Sequence, residues 1–89
     1  MMGQEEQHEE QHPQIDYPCS WEYCVIGQDR DFLCEEIRSV AGNRRFSLRD
    51  GHQKGVWHSV HLSLWVHDEA ERNSIYVALK EITGVRMVI

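Results

Sequence analysis

Residues 17–89 of this 89-residue chain predict an α+β fold with the element order β-α-β-β-α-β. Three observations carry this prediction. Four segments alternate between apolar and polar residues, two segments repeat apolar residues at helical spacing, and glycines stand at several of the boundaries. Two βαβ halves with right-handed crossovers give a four-stranded antiparallel sheet with both helices on one face. The predicted architecture is therefore the ferredoxin-like sandwich, which leaves the other face of the sheet uncovered.

The composition indicates one small folded domain that follows an acidic N-terminal tail. The apolar fraction of 40% suits a globular protein, although a domain of this size buries only about 60% of its unfolded surface. Residues 1–16 hold five acidic residues and no Lys or Arg, and the net charge of −6 arises mostly there. Because this segment has almost nothing to bury, we expect residues 1–16 to be disordered and residues 17–89 to form the domain.

Targeting, metal and disulfide signals are not recognisable in the sequence. No apolar run approaches the ~20 residues that span a bilayer, and the N-terminus lacks the pattern of a secretion signal. The three cysteines, Cys19, Cys24 and Cys34, match neither a redox nor a zinc spacing. His8 and His12 are four residues apart, but two histidines without a fold make a weak metal site. We expect a cytoplasmic protein without a membrane segment, metal or cofactor.

The first strand and the first helix are predicted between residues 20 and 43. Aromatic and apolar residues alternate with others in SWEYCVIG, residues 20–27, as expected of a strand. The segment QDRDFLCEEIRSVAGN, residues 28–43, then carries apolar residues at helical spacing. Asp29 and Asp31 favour the N-terminus of this helix, and Gly42 favours its end.

The second and third strands are predicted as a hairpin. RRFSLRD, residues 44–50, gives a short second strand, and the segment DGHQKG, residues 50–55, is rich in turn-forming residues. The longest strand follows as VWHSVHLSLWV, residues 56–66. Arg44, Arg45 and Arg49 lie on the short second strand, where charges protect an exposed edge from indiscriminate pairing.

The second helix and the last strand complete the chain. Asp68 and Glu71 form a pair similar to a capping box, which predicts that the helix begins at Asp68. The apolar stripe of this helix is formed by Ile75, Ala78, Leu79 and Ile82. Gly84 interrupts the helical pattern, and VRMVI, residues 85–89, is the last strand.

The helices are expected to cover the more apolar row of each strand. This row contains Trp21, Tyr23, Val25, Phe46, Leu48, Val56, His58, Val60, Leu62, Leu64, Val66, Val85, Met87 and Ile89. His58 is the polar member of the row, and a buried imidazole needs a partner for its N–H. We therefore expect His58 to be a buried, hydrogen-bonded structural histidine.

The uncovered face of the sheet is predicted to be an interaction surface. Two tryptophans on this face exceed what solubility requires, and arginine binds anionic and aromatic groups well. The predicted contact residues are Arg45, Arg49, Trp57, His61, Trp65 and Arg86. The expected occupant is a protein partner, a ligand or a second copy of the chain, and the alternative is that the acidic tail folds back over this face. Nucleic acid is disfavoured, because the sequence signature of RNA-recognition folds is missing and the domain is not basic.

Three motifs, in this order and at these separations, resemble those of the YbeD-like family of small bacterial proteins of unknown function. They are YPCSWEYCVIGQ at residues 17–28, KGVWHSV at 54–60 and VRMVI at 85–89. The resemblance covers nearly the whole predicted domain. It implies the ferredoxin-like fold and a similarity to ACT domains, which are regulatory modules that bind small ligands. Some bacteria encode such proteins beside lipoate-attachment enzymes, which implies a link with lipoate metabolism.

The resemblance points to two groups of residues and to no catalytic residue. By analogy with ACT domains, the ligand-binding positions are Ile26, Gly27, Gln28 and Asp29. The positions that mark the family in the hairpin are Lys54, Gly55, Trp57, His58 and Ser59, and we expect them to set the geometry of the turn. The plainer interpretation of the first group is that Gly27 turns the chain and Asp29 caps the helix. Asp29 and Asp31 also argue against an anionic ligand at this loop.

Three function classes remain open after these observations. The first is a regulatory module that senses a small ligand, and the second is an adapter that binds a protein through the open sheet face. The third is an acyl-phosphate hydrolase, for which this fold needs an arginine in the loop after the first strand and an asparagine nearby. Arg30 is in that loop, but Asn43 follows the first helix and the surrounding sequence does not match. We therefore expect the protein not to be an enzyme.

Overall fold

The computed structural model describes residues 14–89 and contains the predicted β-α-β-β-α-β order. The elements are β1 (Cys19–Gly27), α1 (Arg30–Ala41), β2 (Phe46–Lys54), β3 (Trp57–Val66), α2 (Glu69–Lys80) and β4 (Val85–Val88). Most of the predicted disordered tail, with His8 and His12, lies outside the described residues. Its last residues, 14–16, are exposed and belong to no helix or strand.

The four strands form one antiparallel sheet in the order β2-β3-β1-β4. Both helices pack on the same face of this sheet, because their apolar residues and one row of each central strand share a single core. The buried residues of that core are Tyr23, Val25, Leu33, Cys34, Ile37, Ala41, Val60, Leu62, Leu64, Val66, Ile75, Leu79, Ile82 and Val88. The predicted ferredoxin-like sandwich with one uncovered sheet face is confirmed.

The helices begin and end at the residues that their sequences favour. The carboxylate of Asp29 accepts a hydrogen bond from the Phe32 N–H at 3.1 Å at the start of α1. Gly42 ends α1 with a φ of +62°, a conformation that glycine adopts without strain. At the start of α2, the carboxylate of Asp68 accepts from the Glu71 N–H at 2.8 Å. These caps satisfy backbone donors that a helix leaves unpaired in its first turn.

Arg44 joins the end of α1 to the start of α2. Its guanidinium donates to the backbone carbonyl oxygens of Val40 and Ala41, each at 3.2 Å, and its Nε lies 2.6 Å from Glu71 Oε2. The second carboxylate oxygen of Glu71 accepts from the His67 N–H at 2.6 Å. These bonds, chiefly the one from Arg44, lower the pKa of Glu71 from its ordinary value to about 2. Glu71 is therefore ionised across the physiological pH range and holds the two helices together.

The hairpin between β2 and β3 is tighter than the sequence predicts. The predicted turn segment, residues 50–55, mostly belongs to β2, which continues to Lys54 and pairs it with Trp57. Only Gly55 and Val56 form the turn, and Gly55 has a φ of +62°. A glycine with positive φ at the first of two turn positions is typical of the II′ turns that match strand twist. A shift of register between residues 50 and 53 takes up the additional length of β2.

The prediction for His58 is wrong with respect to burial. His58 lies on the helix side of β3, as predicted, but it is half-buried at the hairpin end of the sheet. Its ring has no hydrogen-bond partner within residues 14–89. The neighbouring Ser59 has the defined structural contact instead, because its Oγ donates to the carbonyl oxygen of His52 at 2.9 Å. The partner of His58 on β1 is Gly27, which has no side chain to cover the His58 ring.

The face assignment of β4 is wrong for its last residues. The pairing of β1 with β4 shifts register between residues 26 and 27, and Val88 lies opposite the fully buried Val25. Val88 therefore faces the helices, whereas Met87 is 47% exposed and Ile89 is 70% exposed. The cause is a bulge, which reverses the alternation of side chains along the rest of a strand.

Two further observations concern residues 14–89 alone. No helix in this part of the chain is long and apolar enough to cross a membrane. The same residues contain no group of three or more His, Cys, Asp or Glu side chains that could together hold a metal ion.

Candidate functional site

A cleft with a volume of about 550 Å³ opens at the end of the sheet where β1 ends and β3 and β4 begin. Its lining residues are Gly27, Gln28, Asp29, Phe32, Leu33, Trp57, Thr83, Gly84, Val85 and Arg86. They belong to the end of β1, the β1–α1 loop, the first turn of α1, the start of β3, the α2–β4 loop and the start of β4. The volume falls within the range of small-molecule sites. We call this feature the end cleft.

Arg86 and Trp57 form a stacked pair at the end cleft. The guanidinium carbon of Arg86 lies 4.9 Å from the centroid of the Trp57 ring, within the range of a cation–π contact. No carboxylate of residues 14–89 forms an ion pair with Arg86. Trp57 is half-buried beneath it. The pair thus presents an arginine without an ion-pair partner to the solvent side of an apolar cleft.

Two glycines bring the walls of the end cleft together. A Cβ placed on Gly27 would lie 3.2 Å from the carbonyl oxygen of Gly84 and 3.5 Å from the Leu33 side chain. The β1–α1 loop and the α2–β4 loop therefore lie so close together that a side chain at Gly27 would require one of them to shift slightly. Gly84 has a φ of +87°, which a residue with a side chain rarely adopts. The close approach of the loops accounts for the glycine at position 27, and the positive φ accounts for the glycine at position 84.

A bidentate ion pair links the start of α1 to the hairpin. Arg30 Nε lies 2.6 Å from Asp50 Oδ1, and Arg30 Nη2 lies 3.0 Å from Asp50 Oδ2. The hydrogen bonds from Arg30 lower the pKa of Asp50. Arg30 also lies 3.2 Å from an oxygen of Asp31. We call the Arg30–Asp50 pair the hairpin clasp, since it connects the loop of one cleft wall to the strand that leads to Trp57.

The residues that an acyl-phosphate hydrolase would need are far apart. Arg30 is the first residue of α1 and Asn43 follows its last residue, so about 18 Å of helix separates them at 1.5 Å per residue. The guanidinium of Arg30 is already engaged by two carboxylates. This arrangement does not bring together the groups of that reaction.

The centre of the open sheet face carries a compact charged cluster. Glu22 Oε2 accepts a hydrogen bond from Arg49 Nη2 at 2.9 Å and lies 2.9 Å from His61 Nδ1. The bond from Arg49 is the main cause of the lowered pKa of Glu22. Two of the predicted contact residues, Arg49 and His61, therefore already share an internal carboxylate partner.

Gly51 allows the side chains of this central cluster to approach β2. A Cβ at Gly51 would collide with Ser59 Oγ and would lie 2.7 Å from His61 Nε2. Cys24 lies opposite His61 in the pairing of β1 with β3, and burial raises the pKa of its thiol. The middle of the open face is thus closely packed although no helix covers it.

The far end of the open face is more exposed. Trp65 is 44% exposed, and it lines a cavity of about 310 Å³ together with Arg44, Arg45 and His67. A second cavity, of about 320 Å³, lies beside it and is lined partly by Ser20, Ser47 and Ser63. No carboxylate of the described chain pairs with Arg45. We call Arg45 and Trp65 with these serines the Trp65 patch.

The structure separates the predicted interaction residues into three pairs along the sheet. The pairs are Trp57 with Arg86, Arg49 with His61, and Arg45 with Trp65. The first pair belongs to the end cleft, and the second is held by Glu22. The third pair belongs to neither arrangement, and its Trp65 ring is 44% exposed on the open face.

The predicted ligand loop falls partly in the end cleft. Gly27, Gln28 and Asp29 line the cleft, whereas Ile26 lies within β1, opposite Ser59. Sequence reasoning missed the lining residues Phe32, Leu33, Thr83, Gly84 and Val85. The sequence does contain a signal for the α2–β4 loop as part of this site. Gly27 and Gly84 both mark chain reversals, and the β-α-β-β-α-β topology places these two reversals at the same end of the sheet.

Comparison with known proteins places the chain among bacterial relatives. The family model described as "Protein of unknown function (DUF493)" matches residues 12–89. A UPF0250 protein of Shewanella loihica is 29% identical over 83 residues, which cover 88% of this chain and 93% of that protein. An uncharacterized protein of Helicobacter pylori is 31% identical over 75 residues, which cover 82% of this chain and 87% of that protein.

Solved structures share the same architecture. The solution structure of a Helicobacter pylori protein matches with a TM-score of 0.76 and 29% identity over 89% of each chain. The ACT domain from the GTP pyrophosphokinase of Chlorobium tepidum matches with a TM-score of 0.62 over 81% of this chain and 96% of that domain. At 16% identity, the ACT match shows a common fold alone.

Proposed function

We propose that the chain, which belongs to the DUF493 family of proteins of unknown function, is a non-catalytic regulatory module that binds a small molecule in the end cleft. In this proposal the ligand alters the loops and the hairpin around the cleft, and a partner protein responds to that change. We also propose that the module acts in the cytoplasm. The three free cysteines of the described chain support this location.

The end cleft is the observation that carries this proposal. It joins three residues of the predicted ligand loop to an aromatic ring and to an arginine without an ion-pair partner. Small-molecule sites generally combine an apolar lining with a few polar groups that fix orientation. Phe32 is 41% exposed at the mouth of the cleft, where a bound ligand would cover it. The likeness to an ACT domain concerns architecture, so the proposal depends on the cleft itself.

A role without catalysis is supported by three features of the described residues. Arg30 is engaged by Asp50, and the thiol of Cys24 has a raised pKa that disfavours the nucleophilic thiolate. Arg86 forms no ion pair or hydrogen bond with another side chain of residues 14–89. The relatives are named only as UPF0250 or uncharacterized proteins, and those names imply no reaction.

The proposal is tested by amide NMR spectra of the labelled full chain during titration with amino acids, lipoate-related acids and short RNA. The lipoate-related acids are included to test the link with lipoate metabolism that the family resemblance implies. Phe32→Ala removes an apolar wall of the end cleft. Val77→Ala is the matched control, because Val77 is 50% exposed on α2 and lines no part of the cleft.

A ligand of the end cleft should shift the amide signals of residues 27–29 and 83–86, and Phe32→Ala should weaken that binding while Val77→Ala leaves it unchanged. Shifts confined to the open face on addition of RNA would replace this proposal with a nucleic-acid function. Titrations that leave every cleft signal in place would contradict the proposed function.

The second candidate function is a protein adapter that uses the Trp65 patch. The specific observation in its favour is the exposed Trp65 ring beside Arg45, which has no carboxylate partner in the described chain. Exposed aromatic and arginine side chains are enriched at protein interfaces. Association of the full chain with a second copy, or with a captured partner, should weaken in Trp65→Ser. Tyr76→Ser, which removes an aromatic ring that is 38% exposed on α2, is the control.

A further inference from the structure

We infer that the ligand of the end cleft is a small organic monoanion with an apolar body, and that Arg86 binds its anionic group. This inference rests on the proposed function and adds the chemical class of the ligand. It follows from the charges that line the cleft, from the way in which Arg86 is stacked and from the apolar surface beside it.

Two ionisable side chains line the end cleft, Asp29 and Arg86, and their charges are not equally available. The carboxylate of Asp29 accepts a hydrogen bond from the Phe32 N–H, and the positive end of the α1 dipole offsets its charge. Asp31, which follows in the first turn, contacts the guanidinium of Arg30. The objection that these carboxylates exclude an anion is therefore weaker in the folded chain than in the sequence. Arg86 is therefore the charged side chain of the end cleft that has no ion-pair or hydrogen-bond partner within residues 14–89.

The stacking of Arg86 leaves its hydrogen-bond donors available. The guanidinium carbon lies over the Trp57 ring, 4.9 Å from its centroid, and the N–H groups of Arg86 have no hydrogen-bond partner within residues 14–89. A carboxylate can accept two parallel bonds from the edge of this planar group. Trp57 thus holds the cation in place and lowers the entropy that is lost when an anion binds. Arg86 can recognise a carboxylate without leaving its position.

The remainder of the lining requires an apolar ligand body. Phe32, Leu33, Trp57 and Val85 contribute aromatic and aliphatic surface to the end cleft. Leu33 is 2% exposed and forms part of the core, so it provides a firm floor, whereas Phe32 is 41% exposed at the rim. An apolar group that enters the cleft covers this surface and gains the free energy of burial.

One available cation also limits the charge of the ligand. Nucleotides and other polyanions are bound by several cations or by loops with many backbone donors, and the end cleft presents Arg86 alone. A zwitterionic amino acid also needs a carboxylate for its ammonium group, and one oxygen of Asp29, the carboxylate that lines the cleft, already accepts the hydrogen bond from the Phe32 N–H. A compact molecule with one negative group and an aromatic or aliphatic body fits these conditions.

The test uses three probes that share one skeleton: 3-phenylpropionate, 3-phenylpropionamide and phenylalanine. Binding to the full chain is followed by amide NMR shifts of residues 27–29 and 83–86. We expect 3-phenylpropionate to bind roughly tenfold more tightly than its amide, since a hydrogen bond to a charged group is stronger than a neutral one. Phenylalanine should bind more weakly than 3-phenylpropionate, because its ammonium group must compete with the Phe32 N–H for the carboxylate of Asp29.

Arg86→Gln isolates the role of the cation. In this variant the preference for 3-phenylpropionate over its amide should disappear, while the amide still binds. Arg45→Gln is the matched control, because it removes an arginine at the far end of the sheet and should leave the preference intact. Equal binding of anion and amide to the wild-type chain, or tighter binding of phenylalanine, would overturn the ligand class and leave the proposed function standing. Failure of all three probes to shift cleft signals would overturn both.

Discussion

The phenolic oxygen of Tyr23 donates a hydrogen bond to the backbone carbonyl oxygen of Arg72 over 2.6 Å. Tyr23 is 3% exposed on β1, and Arg72 lies in the first turn of α2. The bond therefore ties the centre of the sheet to the second helix. Burial is the main cause of the raised pKa of Tyr23, which reaches about 12.

Tyr23→Phe should lower the free energy of unfolding by about 1 kcal/mol, the usual contribution of one such bond. It should also remove a component of alkaline unfolding. The pKa of Tyr23 is raised from 10.0 to about 12 in the folded chain, so its contribution is complete below pH 10 and is lost as the pH rises through about 12. Urea unfolding at neutral and alkaline pH measures both effects. The exposed Tyr76→Phe variant is the control, and an equal alkaline loss in Tyr23→Phe and the wild type would contradict the assignment.

Glu71→Gln should destabilise the protein at neutral pH but much less in acid. The pKa of Glu71 is lowered from 4.5 to about 2, chiefly by Arg44. Its stabilising contribution is therefore complete above pH 4.5 and is lost as the pH falls towards 2. Thermal unfolding of wild type and variant across this range should show the difference in Tm shrinking with acidification. Glu35→Gln, an exposed change on α1, should give no such trend, and a difference for Glu71→Gln that stayed constant with pH would refute the prediction.

Gly51→Ala should cost roughly 1–3 kcal/mol, the usual range for overpacking a well-packed site. The added Cβ would press on Ser59 Oγ and on the His61 ring. If the cost is steric, removing the hydroxyl in a Gly51→Ala, Ser59→Ala double variant should recover part of it. The two single variants, the double variant and the wild type form a thermodynamic cycle measured by urea unfolding. Strictly additive costs would show that this contact is not the cause.

Arg49→Ala should raise the pKa of Glu22 towards its ordinary value. The hydrogen bond from Arg49 is the largest cause of the lowered pKa, and His61 contributes less. Carboxyl carbon NMR of Glu22 during a pH titration measures the change directly. Arg45→Ala, which removes a charge from the Trp65 patch, should leave the Glu22 titration as it is in the wild type.

The architecture could be predicted from the sequence because each strand and helix carries its own periodicity. The Asp29 and Asp68 helix starts and the Gly42 end also follow from local chemistry, since a cap depends on residues within one turn. The resemblance to YbeD-like proteins is confirmed by the match to the DUF493 family over residues 12–89. These features share one property: each is encoded by residues that are close together in the chain.

The details that sequence reasoning missed depend on pairing between distant segments. Alternation in VRMVI places Met87 with the helices, but a bulge opposite residues 26–27 puts Val88 there instead. The position of Trp57 in the end cleft is also invisible in a pattern of period two, because it depends on the β1–α1 loop and on Arg86 of β4. Bulges and cation–π contacts leave no period in the sequence.

We expect the hairpin clasp to make ligand binding in the end cleft sensitive to ionic strength. Arg30 and Asp50 are 45% and 61% exposed, so dissolved salt screens their attraction. The clasp connects the loop of Gln28 and Asp29 to the hairpin that carries Trp57, and weakening it frees one wall of the cleft from the other. Even the uncharged 3-phenylpropionamide should therefore bind with an affinity that varies with salt concentration, and Arg30→Gln should abolish that variation.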